Sequence, residues 1–63
     1  MRVDRIKLTT ELLRQDLSQK KLAELAGISR ATISSIKAGK SCSEEVGYKI
    51  AQALHVELTE IME

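Results

Sequence analysis

Apolar residues recur along the chain at intervals of three and four, between short polar or glycine breaks, and this spacing predicts helices from end to end. A first helix is expected over about Asp4 to Gln15, with Ile6, Leu12 and Leu13 on one side and Leu8 at its border. A second runs from about Ser18 to Ala26. Ser18 is its N-cap, and Leu22, Ala23, Leu25 and Ala26 form its apolar stripe. Gly27 offers the positive φ that ends a helix and turns the chain. Ser29 caps a third helix that reaches about Ala38 and closes on Gly39. After a loop with Lys40, Ser41 and Cys42, Ser43 caps a fourth helix, whose Glu44 and Glu45 complement the positive end of its dipole. Val46, Ile50, Ala51 and Leu54 are its inner face, His55 is a C-cap, and Glu57 to Met62 is a last short helix with Leu58 and Ile61 inward. The reading is all-α: a bundle of about five short helices, without an internal repeat or a low-complexity linker.

The join of the second and third helices, "AELAGISRATISSIKAGK", is the most informative stretch. Ala23 is small where a second helix has to cross closely. Gly27 follows four residues later at the turn, Ile28 plugs it, and Ile33 and Ile36 anchor the next helix. Two helices at a steep angle over so short a turn make a helix-turn-helix. The third helix has an unusual outer surface. Arg30, Ala31, Thr32, Ser34 and Ser35 stand where an ordinary solvated face carries long Glu and Lys, which are better helix formers. A helix this thin fits the DNA major groove, about 12 Å wide, where the N-terminal residues of the second helix of such a pair meet base edges. Ser and Thr hydroxyls can bond bases or phosphates, Ala31 can touch a thymine methyl, and Arg30 can fork onto guanine O6 and N7. The helix starts near Gln19 and Ser29 offer N–H groups to phosphates.

Charge sharpens this picture. The formal net charge is only +1, but it is unevenly spread. Residues 18–43 carry Lys20, Lys21, Arg30, Lys37 and Lys40 against Glu24 alone, whereas residues 44–63 carry Lys49 against Glu44, Glu45, Glu57, Glu60 and Glu63. One face suits a polyanion and another suits solvent or a partner. With 63 residues the chain is expected to be one domain, 1–63, with a thin core. Cys42 is the only cysteine, so no internal disulfide forms, and no Cys/His cluster marks a metal site. No apolar run approaches a membrane span and no signal-peptide pattern opens the chain, so a cytoplasmic location is expected.

The stretch "LSQKKLAELAGISRATISSIKAGK" resembles the signature of lambda-repressor-like, Cro/cI-type (xenobiotic-response-element) regulators, and "YKIAQALHV" is similar to their fourth helix and the turn after it. The resemblance spans about residues 6–61 and rests on the joint spacing of Ala23, Gly27, Ile28, Ile33 and Ile36. It implies that Gln19 bridges a phosphate and the recognition helix, that Arg30, Ala31 and Ser35 face bases, and that Thr32 and Lys40 face the backbone. The chain also departs from the family. An Arg late in helix one often pairs with a Glu at the position of Lys37, and here Leu12 or Leu13 and Lys37 stand instead, which frees Lys37 for a phosphate. The turn at Gln15 and Asp16 lacks the family's Gly, the loop at Ser41 and Cys42 lacks its usual Pro, and Gly47 replaces a larger apolar residue.

Each assignment has a plainer rival. Gln19 could be merely solvated, and Arg30 could grip phosphate without reading a base. Ser34, Lys20 and Lys21 read best as solvated, Cys42 as an unactivated loop residue, and Tyr48 as packing.

The function expected is sequence-specific DNA binding by a transcriptional regulator, a repressor on a palindromic operator. The DNA-binding set is Gln19, Ser29, Arg30, Ala31, Thr32, Ser35, Lys37 and Lys40. A homodimer is expected through the apolar residues left near the end of the chain, Val56, Leu58, Ile61 and Met62. The alternative is a helix-turn-helix protein-interaction module, such as an antitoxin or antirepressor component. An enzyme is disfavoured, because the single His and single Cys lie on separate loops and no nucleophile–base pair is visible. No cofactor, metal or small-molecule substrate is expected, and double-stranded DNA is the expected partner.

Overall fold

Each α-helix begins on a side chain that the local sequence supplies. The computed structural model describes all 63 residues. It contains α1 (Arg5–Arg14), α2 (Gln19–Ala26), α3 (Arg30–Lys37), α4 (Glu44–Leu54) and a 3-10 turn, Leu58–Glu60. The Asp4 carboxylate accepts from the N–H groups of Ile6 and Lys7 at 2.8 and 3.1 Å. Ser18, Ser29 and Ser43 accept from Lys21, Thr32 and Val46 at 3.0, 3.1 and 3.2 Å. These bonds satisfy donors that a helix start otherwise leaves open. The other ends turn on left-handed residues: Gly27 at φ 71° after α2, Gly39 at φ 98° after α3, and His55 at φ 58° after α4. After α1, where a glycine would be usual, Asp16 takes φ 55°, a conformation its short polar side chain tolerates.

The fold has four α-helices, one fewer than expected. Glu57 to Met62 is too short to repay helix nucleation. It closes on i→i+3 bonds instead, Glu60 N–H to Glu57 and Ile61 N–H to Leu58, and the Glu60 carboxylate accepts from the Glu57 N–H at 2.7 Å. This segment is nonetheless fully integrated. The Asp4 N–H donates to the Ile61 carbonyl at 2.7 Å, Glu63 N–H donates to Arg2 at 3.1 Å, and Val3 forms an antiparallel bridge with Met62. The two chain ends therefore lie together over one side of the core.

That core holds Val3, Leu8, Leu12, Leu22, Ala23, Ile33, Ile36, Ile50, Ala51, Leu54 and Ile61. It corrects the expected inner face of α1. Leu8 and Leu12 are buried, while Ile6 and Leu13 are 70% and 78% exposed. Two overlapping stripes exist on this helix, and the one that also brings Glu11 inward is the one used. The buried Glu11 carboxylate holds Arg14 Nη1 at 2.7 Å and Gln15 Nε2 at 3.4 Å, and Gln15 Nε2 also donates to the Leu54 carbonyl at 2.7 Å. This polar clasp ties the end of α1 to the end of α4. Leu25, expected inward, and Tyr48, expected to pack, are both about half exposed. Gly47 is buried because Met1 occupies its surroundings: a Cβ there would stand 2.7 Å from the Met1 sulfur. Met1 is pinned in turn, since its amine donates to the Cys42 carbonyl and its own carbonyl accepts from the Cys42 N–H. No helix is long and apolar enough to cross a membrane.

Candidate nucleic-acid interface

The helix pair α2–α3 is built from short-range bonds. Gly27 N–H and Ile28 N–H both donate to the Ala23 carbonyl, at 2.9 and 3.1 Å, which closes α2 and starts the turn. Ala23 is buried, which brings the helices close, and Ile33 and Ile36 fix α3 in the core. With one side anchored, the other is displayed: Arg30, Ala31 and Ser34 are exposed, and Thr32 and Ser35 are half-buried at its edge. The displayed face thus carries short side chains and one guanidinium.

The hydroxyls at the head of α3 are partly committed. Ser29 Oγ accepts from the Thr32 N–H and lies 2.8 Å from Thr32 Oγ1, so these two side chains hold each other at the cap. One hydroxyl donor and two acceptor lone pairs remain free across the pair, so both side chains can still meet an external partner. Gln19 is half-buried in the first turn of α2. At the far end of α3, Gly39 turns the chain and the Lys40 N–H donates to the Ser35 carbonyl at 3.1 Å, so the exposed Lys40 leaves the helix from a fixed backbone.

The ion pairs of the chain join Arg14 to Glu11, Lys21 to Glu24 and Lys49 to Glu45. Arg30, Lys37 and Lys40 are in none of them. Their charge is uncompensated within the chain, as a surface for a polyanion requires. Lys21, by contrast, spends its charge on Glu24 as a solvated residue would.

The structure separates some residues that the sequence had grouped. Lys37 is half-buried and turned toward α1, where it lines a cleft with Arg5, Ile6, Thr9 and Thr10. On the helix it lies seven residues after Arg30, so it borders the edge of that face on the α1 side. Arg5 and the Thr9–Thr10 pair were missed in sequence. The signal was present, since Ile6 and Leu13 share one side of α1 and only one of two stripes could be inward. The expected dimer residues also divide. Ile61 is 0% exposed and belongs to the chain's own core, so it has no surface for a partner, which corrects that expectation. Val56 lies beside Gln15 and His55. Leu58 and Met62 line a different groove, with Met1 and Tyr48.

Comparison with known proteins agrees with this geometry. A helix-turn-helix family model, HTH_3, matches residues 10–61. No curated protein matches the chain in sequence. Among solved structures, the restriction-modification controller protein C.AhdI from Aeromonas hydrophila is 30% identical with a TM-score of 0.83, over 89% of this chain and 86% of that one. A hydroxyethylphosphonate dioxygenase mutant and a cadmium-bound Phpd complexed with hydroethylphosphonate superpose with TM-scores of 0.88 and 0.87 at 22% identity. This chain covers only 14% of the length of each, so they share its fold as a small part of a larger protein. The capped helix pair, the glycine-turned join and the family match over most of the sequence place the chain in the Cro/cI-type helix-turn-helix family of DNA-binding transcriptional regulators.

Proposed function

We propose that the chain binds a specific duplex DNA sequence as a dimer and represses transcription by occupying it. The observation that carries this reading is the displayed face of α3. Arg30 is exposed, unpaired and set in the first turn, with only the short Ala31 and Ser34 around it. A guanidinium in that position has the planar fork that matches the two acceptors of guanine in the major groove. In this reading Arg30, Ala31 and Ser35 meet bases, while Gln19, the Ser29–Thr32 pair and Lys40 meet the backbone. The controller role printed for C.AhdI fits a regulator of this size.

One such module covers roughly 600–1,000 Å² of protein surface on DNA, which is small for tight specific binding. A dimer on half-sites about 34 Å apart doubles it. Exposed Tyr48 with partly buried Met1, Leu58 and Met62 forms an apolar surface for the two-fold contact, with Glu44 and Glu57 at its rim. The deciding experiment is selection of bound sites from random duplexes by the wild-type and Arg30→Ala chains. A dyad-symmetric site with one guanine per half-site is expected. Arg30→Ala should lose about 1–3 kcal/mol per half-site and relax preference at that base pair, with a much smaller loss on random DNA. An unchanged site profile, merely weaker at every sequence, would show that Arg30 grips phosphate. A site without a dyad would sink the dimer.

A further inference from the structure

The side of α1 opposite the core carries Ile6 and Leu13, 70% and 78% exposed, two helical turns apart with Thr9 and Thr10 between them. Two large aliphatic side chains in water on one stripe of so small a domain mark a surface for another molecule. Between α1 and α3 this stripe opens into a cleft of about 310 Å³ lined by Arg5, Ile6, Thr9, Thr10 and Lys37. The Thr10 hydroxyl donates to the Ile6 carbonyl at 2.8 Å, so it is spent on the helix backbone. What remains is a small cleft with Ile6 as its one aliphatic lining residue, and Leu13 lies beyond it on the same stripe.

Cations fringe the stripe on both sides. Arg5 and Lys37 stand along the α3 side and carry no ion pair within the chain. By helical position Lys7 and Arg14 stand along the other side. Lys7 Nζ touches only the Met62 carbonyl, and the Arg14 side chain stays 70% exposed beside Glu11. The nearest carboxylate of α1, Glu11, is turned into the core. Arg14 is spent on Glu11, which leaves Arg5, Lys7 and Lys37 as the free cations beside the seam. An apolar seam flanked by them is complementary to a helix whose apolar seam is flanked by carboxylates.

Other occupants fit less well. Nucleic acid gains nothing from Ile6 and Leu13 and would want the Thr10 hydroxyl free. A second copy packed on the same stripe by two-fold symmetry would set Arg5, Lys7 and Lys37 against themselves. We propose that this α1 seam docks an acidic amphipathic helix of a different protein, and that its occupancy opposes DNA binding. The second clause rests on the DNA-binding reading above. Lys37 belongs to α3, so carboxylates drawn to it add negative charge beside the recognition helix and repel the duplex. By linkage, DNA then weakens the docked helix to the same degree.

The test is a selection of displayed random peptides, roughly 18 residues and so about five turns long if helical. The wild-type chain is the target and an Ile6→Asp/Leu13→Asp chain is the soluble competitor. Both substituted residues are exposed, so the competitor should keep the wild-type circular dichroism and urea midpoint. Survivors should converge on large apolar residues at i, i+3 or i+4 and i+7, with Asp or Glu alongside. A synthetic copy of the best survivor should bind in fluorescence anisotropy and lose at least about fivefold in affinity to Arg5→Ala/Lys37→Ala. It should also weaken binding to the selected duplex. No convergence, convergence on neutral or basic peptides, or indifference to Arg5→Ala/Lys37→Ala overturns the docking site. If Ile6→Asp/Leu13→Asp instead flattens the salt dependence of DNA binding, the seam is a backbone contact and the proposal fails. If it turns a wild-type dimer into monomers, the seam is a self-interface and the proposal fails. A chain that takes the peptide but no duplex would sink the DNA reading while leaving the docking site standing, and a peptide that binds without disturbing DNA removes the antagonism alone.

Discussion

Replacing Ile61 with alanine should unfold much of the population rather than alter assembly. Ile61 lies two residues from the chain end, yet it is 0% exposed and its carbonyl accepts from the Asp4 N–H at 2.7 Å. The substitution deletes about three methyl or methylene groups, each worth about 0.8 kcal/mol on transfer from water. A cavity penalty adds to this, because α1, α4 and the segment around Val3 are tied by their own bonds and cannot all collapse inward. The expected loss is about 2–5 kcal/mol. At roughly 0.05–0.15 kcal/mol per residue, a chain of this length has only about 3–9 kcal/mol in total. The assay is urea unfolding followed by circular dichroism at two protein concentrations, since the proposed dimer would make the midpoint concentration-dependent. Leu58→Ala, at a half-buried position on the same turn, is the control and should cost about 1 kcal/mol. An Ile61→Ala loss no larger than that of Leu58→Ala, at unchanged denaturant slope, would refute the reasoning. So would a well-folded Ile61→Asp chain altered only in its oligomeric state.

Other perturbations test separate parts of the structure. Gly27→Ala should lower stability by about 1 kcal/mol in the same unfolding assay; no atom lies within 4 Å of the added Cβ, so the cost is that of an L-residue at φ 71°. Glu11→Ala should cost about 1–2 kcal/mol, because a partly buried carboxylate that holds Arg14 and Gln15 is lost while Arg14 can turn to water; an unchanged urea midpoint would mean the clasp is incidental. Lys40→Ala should weaken specific and random DNA alike and reduce the salt slope by about one per subunit, as read in titrations at several salt concentrations. A salt slope equal to that of the wild type would make Lys40 a solvated loop residue. Tyr48→Asp, at an exposed position, should leave the unfolding midpoint of the monomer intact and dissociate the dimer in sedimentation; a persistent dimer would move the interface elsewhere.

Much of the fold could be read from the sequence because its punctuation is local. Asp4, Ser18, Ser29 and Ser43 bond N–H groups two or three residues away, and Gly27 and His55 adopt their left-handed backbone next to the helix they end. Such signals need no knowledge of the rest of the chain. The displayed face of α3 was legible for a related reason. With Ile33 and Ile36 committed inward, the helical period alone sends Arg30, Ala31 and Ser34 outward. The period was insufficient on α1, where Ile6, Leu8, Leu12 and Leu13 make two overlapping stripes of similar hydrophobicity. What chose between them was tertiary: Val3 and Ile61, nearly the full chain apart in sequence, meet beside Leu8 and Leu12 in the core. The same closure of the two ends drew Ile61 inside, left Tyr48 outside, and let Met1 fill the space above Gly47. The orientation of Lys37 was likewise decided by α1 lying against α3, since a side chain at the edge of a helix takes its neighbours from whichever element packs there. Caps, turns and the outer face of a helix with one clear stripe follow from interactions within a few residues; the choice between equivalent stripes follows from contacts that exist only once the whole chain has folded.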